Sequence, residues 1–401
     1  MKILQINCVY GEGSTGRITK NIHEYLTDSK ENSVVICGRR GPRNNADIYP
    51  MISERRGKLN KLWAMISGVV YGGCLSETKK IKRIILKEKP DIVHLQCING
   101  YFCNIFKLLE FLKKEGIPTV LTLHAEFMYT ANCGHAGSCD QWKTGCQKCP
   151  VYKTTLHSLF FDRTASSWKR MHAIYKDWDK LYVVACSDWI ARRAGQSGQM
   201  AHRDIRVIHN GIDNDTTFYP RINARKDLAE RYNLPSDKKI VLFVSPGFSA
   251  LKGFDLFLEL VHKCENDPVH FLLVGGEYKG LEKNITSIGK VSDGNLMAEL
   301  YSAADALVIC SRNDNYPTVC LEANSCGTPV IGFDIGGVSE TICQDMGTVV
   351  PFGDIEAMRS KLLEYVNTDL LDETVQCART YHSQNRMLRE YMGLYKSVFE
   401  N

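Results

Sequence analysis

The sequence predicts an α/β protein of two domains, each built on a parallel sheet. Three observations carry this reading. A chain of 401 residues exceeds the roughly 250–300 that one core comfortably fills. Short apolar runs such as 240–244 and 269–274 alternate with segments of helical period. Several runs end in polar or Gly-rich turns, where open α/β sheets hold their ligands. The expected domains are 1–215 and 216–378, joined by the polar, Pro220-containing linker 214–225.

Composition narrows the class. Hydrophobic residues make up 44% and charged residues 24%, ordinary for a soluble globular protein. A net charge of +5 does not call for nucleic acid; it suits anionic small molecules or an anionic membrane surface. The first residues, MKILQINCVYG, carry Gln5 and Asn7 inside the apolar run and read as a strand, not a signal peptide. No apolar run approaches the 18 or so residues of a membrane span. Sixteen cysteines without a secretory signal argue against a disulfide framework, and Cys37, Cys186 and Cys310 read as small hydrophobes. The expected location is cytosolic, with peripheral contact at the inner membrane face.

In chain order, strand 2–8 leads into the loop Gly11-Glu-Gly-Ser-Thr-Gly16 and a helix with Ile18, Ile22 and Leu26 on one face. Arg17 at that helix start suits a phosphate. The G-x-G-x-x-G spacing also fits a nicotinamide fingerprint, but strand 33–37 runs into Gly38-Arg39-Arg40 with no ribose-binding acid. Segments 55–61 and 78–89 are rich in Lys and Arg. The second, with Ile81, Ile84, Ile85 and Leu86, reads as a solvated helix with a core face or as a lipid-contacting one. His94 and Gln96 close strand 90–96, and strand 117–124 ends in His124-Ala-Glu126, a position where a site residue belongs.

The insert 132–150 holds Cys133, Cys139, Cys146 and Cys149 in the pattern C-x5-C-x6-C-x2-C, with His135 as a further donor. The final C-x2-C is zinc-knuckle spacing, and four thiolates would make a closed structural zinc site. Helix 160–178 carries Trp168, Tyr175 and Trp178 as a core stripe. Strand 181–187 and the turn His209-Asn210-Gly211 close the first half.

The second half opens on strand 240–244 and then Pro246–Gly253, where Lys252 precedes a helix and can neutralise a diphosphate. Strand 288–291 contains Lys290 and Val291. Stretch 308–340 follows: strand end, polar loop with Asp314, Asn315 and Tyr316, and a helix opening on Pro317-Thr318 and stopping at Gly327. A buried strand and the Gly336-Gly337 turn complete it. Asp314 and Glu322 thus sit at the mouth of a sheet.

The acid-x7-acid spacing of Asp314 and Glu322, with SCGTPV and GG-x-x-E in register, resembles the donor signature of retaining GT-B glycosyltransferases, family 4 type. The resemblance implies two Rossmann-like domains facing across a cleft, with helix 379–401 crossing back onto the first. It implies transfer of a hexose, with retention, from a UDP- or GDP-linked sugar to a saccharide or lipid-linked acceptor in polysaccharide biosynthesis. Glu322 would hold the ribose, and Asp314, Asn315, Tyr316, Pro317 and Thr318 the sugar. Lys252, Gly16 and Arg17 would meet the diphosphate, Lys290 and Val291 the base, Asn210 and Gly211 the cleft, and His124 the sugar near the scissile bond. Asp314 stands where the family usually has Glu, and Gly247 where it usually has Arg; Arg17 or Arg312 would replace that charge. No metal is expected in the chemistry. The alternatives are a nucleotide-sugar-binding scaffold and an epimerase of the same fold.

Overall fold

The computed structural model describes residues 1–42, 45–280, 282–368 and 370–400. The chain forms two compact units: Met1–His209 with Leu388–Asn401, and Asn210–Met387. Among the described residues no helix is long and apolar enough to cross a membrane.

The first unit holds seven parallel strands: β1 (Lys2–Asn7), β2 (Asn32–Cys37), β3 (Ile48–Pro50), β4 (Ile92–Leu95), β5 (Thr119–Leu123), β6 (Leu181–Ala185) and β7 (Ile205–Val207). Their order is β3-β2-β1-β4-β5-β6-β7. Ile3 sits between Ser33 and Ile92 in register. Strands β4 and β5 are buried throughout and β1 at all but Lys2, as a parallel sheet covered on both faces requires. Helix Gly13–Asp28 turns Ile18, Ile22 and Leu26 inward, as their spacing predicts. Helix Leu75–Glu88 buries Thr78, Ile81, Ile84 and Ile85, so the apolar positions of that basic segment serve the core.

The last helix, Gln384–Glu400, contributes its residues from Leu388 onward to this same unit. Buried Tyr395 and Tyr391 fix it there. The Tyr395 hydroxyl lies 2.7 Å from His94 Nδ1 on β4, and the Tyr391 hydroxyl 3.1 Å from Thr122 Oγ1 on β5. His94 Nε2 meets the same Thr122 hydroxyl at 2.8 Å.

The second unit holds β8 (Lys239–Val244), β9 (Val269–Val274), β10 (Ile285–Gly289), β11 (Ala306–Ile309), β12 (Val330–Phe333) and β13 (Gly347–Val350), in the order β10-β9-β8-β11-β12-β13. Each sheet therefore reverses its winding between its first and fourth strands, at β1/β4 and at β8/β11, the crevice where Rossmann-like sheets bind ligands. Phe243, Phe257, Phe271 and Phe333 lie in the second unit's core.

Three local expectations shift. The aromatic helix spans Thr164–Tyr175, not 160–178, because Asp162 caps the turn before it, accepting from Thr164 N and Oγ1 and from Cys149 N. The strand expected at 288–291 is β10, so Lys290 and Val291 lie just beyond its end. Helix Thr318–Ser325 begins one residue later than expected, with Pro317 flanking it.

Candidate active site

In the second unit, the chain after β8 and the chain after β11 meet at the switch point. Ser249 accepts the Lys252 backbone N–H across the turn Ala250–Lys252, and Gly253 follows with φ +67°. A β-carbon at Gly253 would lie 1.7 Å from the Cys310 carbonyl oxygen. Only glycine permits that approach, which brings Lys252 beside the β11 loop. The Lys252 ammonium donates to Asp314 Oδ2 at 2.6 Å, and Ser311 Oγ lies 3.4 Å from the same oxygen. Behind Asp314, Gly337 N donates to its carbonyl at 3.0 Å. Gly336, at φ +63°, leaves room for that carbonyl, which a β-carbon would meet at 1.9 Å.

Eight residues beyond Asp314, Glu322 faces inward from helix Thr318–Ser325 and is 4% exposed. Its Oε2 accepts the Tyr301 hydroxyl at 2.8 Å. Burial and this carboxylate push the Tyr301 phenol well up, so it remains a donor. Burial pushes the Cys320 thiol up to about 12, opposed by a hydrogen bond with Thr341, with Asp314 and Glu322 raising it further and Lys252 lowering it. Lys252, Asp314 and Glu322 therefore converge on one locality. Asn315, Tyr316 and Pro317 are buried around it and Thr318 is half-buried. The first helical turn has no side-chain cap, and Cys320 N donates to the Pro317 carbonyl, leaving the Thr318 and Val319 amides for an anion or for water.

Other expected residues are placed differently. Arg312 is held by a two-point ion pair to Asp255, both contacts 2.6 Å, and by the Ala250 carbonyl, so its charge is already engaged. Gly247 has φ +102°, a backbone that disfavours the Arg expected of the family. Gly211 is buried against Ser383 and Gln384, where a β-carbon would clash, and its N–H points to Met387 Sδ. Its size is thus explained by packing within the unit. Asn210 is buried, and its side-chain oxygen has no hydrogen-bond partner among the described residues. Lys290 is exposed and Val291 half-buried.

In the first unit, Gly16 is buried and Arg17 exposed in the first turns of helix Gly13–Asp28. His124, at the end of β5, joins an amide chain across three strands. Gln5 Nε2 donates to Thr19 O at 3.2 Å and Gln96 Nε2 to Gln5 Oε1 at 2.9 Å. Gln96 Oε1 is thereby turned to His124 Nε2, 2.9 Å away. This network assigns the imidazole proton to Nε2. Burial pushes the His124 pKa down to about 4, so the ring is neutral near pH 7. The polar breaks at Gln5 and Gln96 were visible in the strands, but their linkage needs the sheet order. Glu126 is wholly buried and accepts from Arg193 Nε (2.7 Å), the Tyr129 hydroxyl (2.6 Å) and Ala136 N (2.6 Å). It clamps the Cys-rich loop rather than facing a substrate.

That loop keeps Cys146 and Cys149 buried and Cys133 and Cys139 partly so. The Cys133 thiol is pushed up to about 12 by burial and by the other three. The donor set has the chemistry of a closed tetrathiolate. Among the described residues, however, no three of these sulfurs lie within 4.8 Å of one another, so an ion would have to draw the loop inward.

Two Rossmann-like sheets, each with polar groups at its switch point, define a two-domain α/β protein of GT-B type. Residues 15–216, just over half the chain, match Glycosyltransferase Family 4, and residues 224–380 match Glycosyl transferases group 1. The chain belongs to Glycosyltransferase Family 4. It is 22% identical to WcaC of Escherichia coli K12, a glycosyl transferase named for colanic acid biosynthesis, across 99% of this chain and all of the relative. Its fold is shared with sucrose-phosphate synthase from Thermosynechococcus elongatus (TM-score 0.72, 18% identity, all of both chains). It is also shared with a glycosyltransferase from Rickettsia africae ESF-5 (TM-score 0.69, 21% identity, 100% of this chain and 99% of the other).

Proposed function

We propose that the chain is a retaining glycosyltransferase that moves a hexose from a UDP- or GDP-linked donor to a hydroxyl of a saccharide acceptor. We place it in surface polysaccharide assembly on a lipid-linked acceptor at the inner membrane face. The observation that carries this is the convergence of Lys252, Asp314 and Glu322 at the switch point of the second sheet. Glu322, oriented by Tyr301, is suited to accept from ribose hydroxyls. Asp314 is suited to accept from the sugar, and in doing so would release Lys252 to the diphosphate.

In the reaction, the bond from the anomeric carbon to the diphosphate oxygen breaks and the acceptor oxygen bonds to that carbon on the same face. The acceptor's proton passes to the departing phosphate. Lys252 and the Thr318 and Val319 amides would stabilise the charge growing on the leaving group, which is the term a preorganised site supplies best. Neutral His124, its Nε2–H held by Gln96, would accept at Nδ1 beside the transferred sugar without adding charge.

The test is nucleoside diphosphate release from a panel of UDP- and GDP-sugars, with EDTA present. One donor should turn over, and Glu322→Ala should lower kcat/KM by about 10–100-fold, the worth of one charged hydrogen bond. Donor binding without release, with every acceptor tried, would instead mark a nucleotide-sugar-binding protein. Interconversion of donors without an acceptor would mark an epimerase.

We further propose that Cys133, Cys139, Cys146 and Cys149 hold a structural zinc ion that stiffens the loop after His124. Protein purified without chelator should carry one zinc per chain by elemental analysis. Cys146→Ser should lose it and lower the unfolding temperature; wild-type protein free of metal from zinc-supplemented cells would rule the site out.

A further inference from the structure

Helix Glu54–Ser67 is built in reverse. The residues it buries are small or polar, Gly57, Asn60 and Ala64, and Asn60 Nδ2 donates to the Tyr101 carbonyl at 3.0 Å. Its exposed large apolar residues are Leu59, Leu62, Trp63 and Ile66, the i, i+3, i+4, i+7 spacing of a single helix face, and that face looks to solvent. The patch does not end with the helix. Leu159 N donates to the Met65 carbonyl at 2.8 Å, and the Phe161 carbonyl abuts Gly68 at the helix end. Leu159, Phe160 and Phe161 therefore extend the same surface, and all seven side chains are 46–65% exposed. A continuous apolar surface of this kind marks a contact site.

Its charges identify the partner. Arg55, Lys58 and Lys61 are exposed on the same helix, while its one acid, Glu54, is engaged by Arg39 and Arg40. Arg163 lies over the Phe161 ring, 5.3 Å from its centroid. Lysine is depleted from protein–protein interface cores. In contrast, long basic stems beside Trp, Phe and Leu suit a lipid surface, where the stems reach the headgroups while the rings sit at the acyl boundary.

We propose that helix Glu54–Ser67 and loop 158–163 form one membrane-docking face that seats on an anionic bilayer. This gives a site to the membrane-face part of the proposed function and can fail without the donor reading failing. Helix Leu75–Glu88, the more obviously basic and apolar segment in the sequence, spends its isoleucines on the core. The docking face is the helix beside it in the chain.

The full chain should be floated with vesicles of phosphatidylcholine alone and of phosphatidylcholine mixed with phosphatidylglycerol. Binding should be at least about tenfold stronger to the anionic vesicles and should weaken with salt. Two independent pairs test the face: Leu62→Ser with Trp63→Ser removes its apolar centre, and Lys58→Glu with Lys61→Glu reverses its charge. Each should reduce binding about tenfold or more while nucleoside diphosphate release in the absence of vesicles stays unchanged. Equal binding to both vesicle types, or unaltered binding in the two pairs, overturns the proposal. So does a dimer, seen by sedimentation, that dissolves in the pairs while vesicles are ignored, since the face would then belong to a second copy.

Discussion

A single side chain's surroundings can reverse what its type suggests. Glu126 sits two residues past a strand-end histidine, yet three donors consume its carboxylate. Arg312 is a cation beside the candidate donor site, yet Asp255 holds it. Two histidines, buried His94 and half-buried His124, set a pH dependence. His94 is pushed down to about 3, by burial and then by neighbouring His124, and His124 itself to about 4 by burial. In the unfolded chain both titrate near 6.5. Below that pH the unfolded state binds protons that the folded state refuses, so stability falls as pH drops from about 6.5 toward the folded values. Denaturant titrations at about pH 7.5 and about pH 5.5, either side of the unfolded value, should show the loss. In His94→Gln the loss should be smaller; an equal loss would place the acid sensitivity elsewhere.

At the level of elements, the candidate site is a product of close backbone approach. The turn Ala250–Lys252 and the loop before Thr318 come together because Gly253 and Gly336 have no β-carbon. Gly336→Ala should cost about 1–3 kcal/mol, from a left-handed backbone and from the clash with the Asp314 carbonyl. It should lower both the unfolding midpoint and donor turnover, as the Asp314 loop moves off Lys252. Retained stability and activity would show that the turn can shift freely. The strands were legible from their apolar runs, and helix Thr318–Ser325 from Pro317 and Gly327. The Lys252–Asp314 contact was not, because 62 positions separate its partners and only the strand order β8-β11 joins them. The reversed face of helix Glu54–Ser67 was also hidden. Spacing shows that four apolar residues share a side, but not which side faces the core.

For the whole molecule, the strand/helix alternation and the chain length were enough to give two α/β domains. They could not say where each sheet reverses its winding. The order of the strands shows that, by putting β1 beside β4 and β8 beside β11. One feature of connectivity also bears on biosynthesis. The unit formed by Asn210–Met387 is continuous in sequence, whereas the other needs Tyr391 and Tyr395 to cover His94 and Thr122. Domains generally fold as units while the chain is being made. Here the first unit waits for a segment translated after the whole of Asn210–Met387 to bury its own sheet. The half translated later can finish before it.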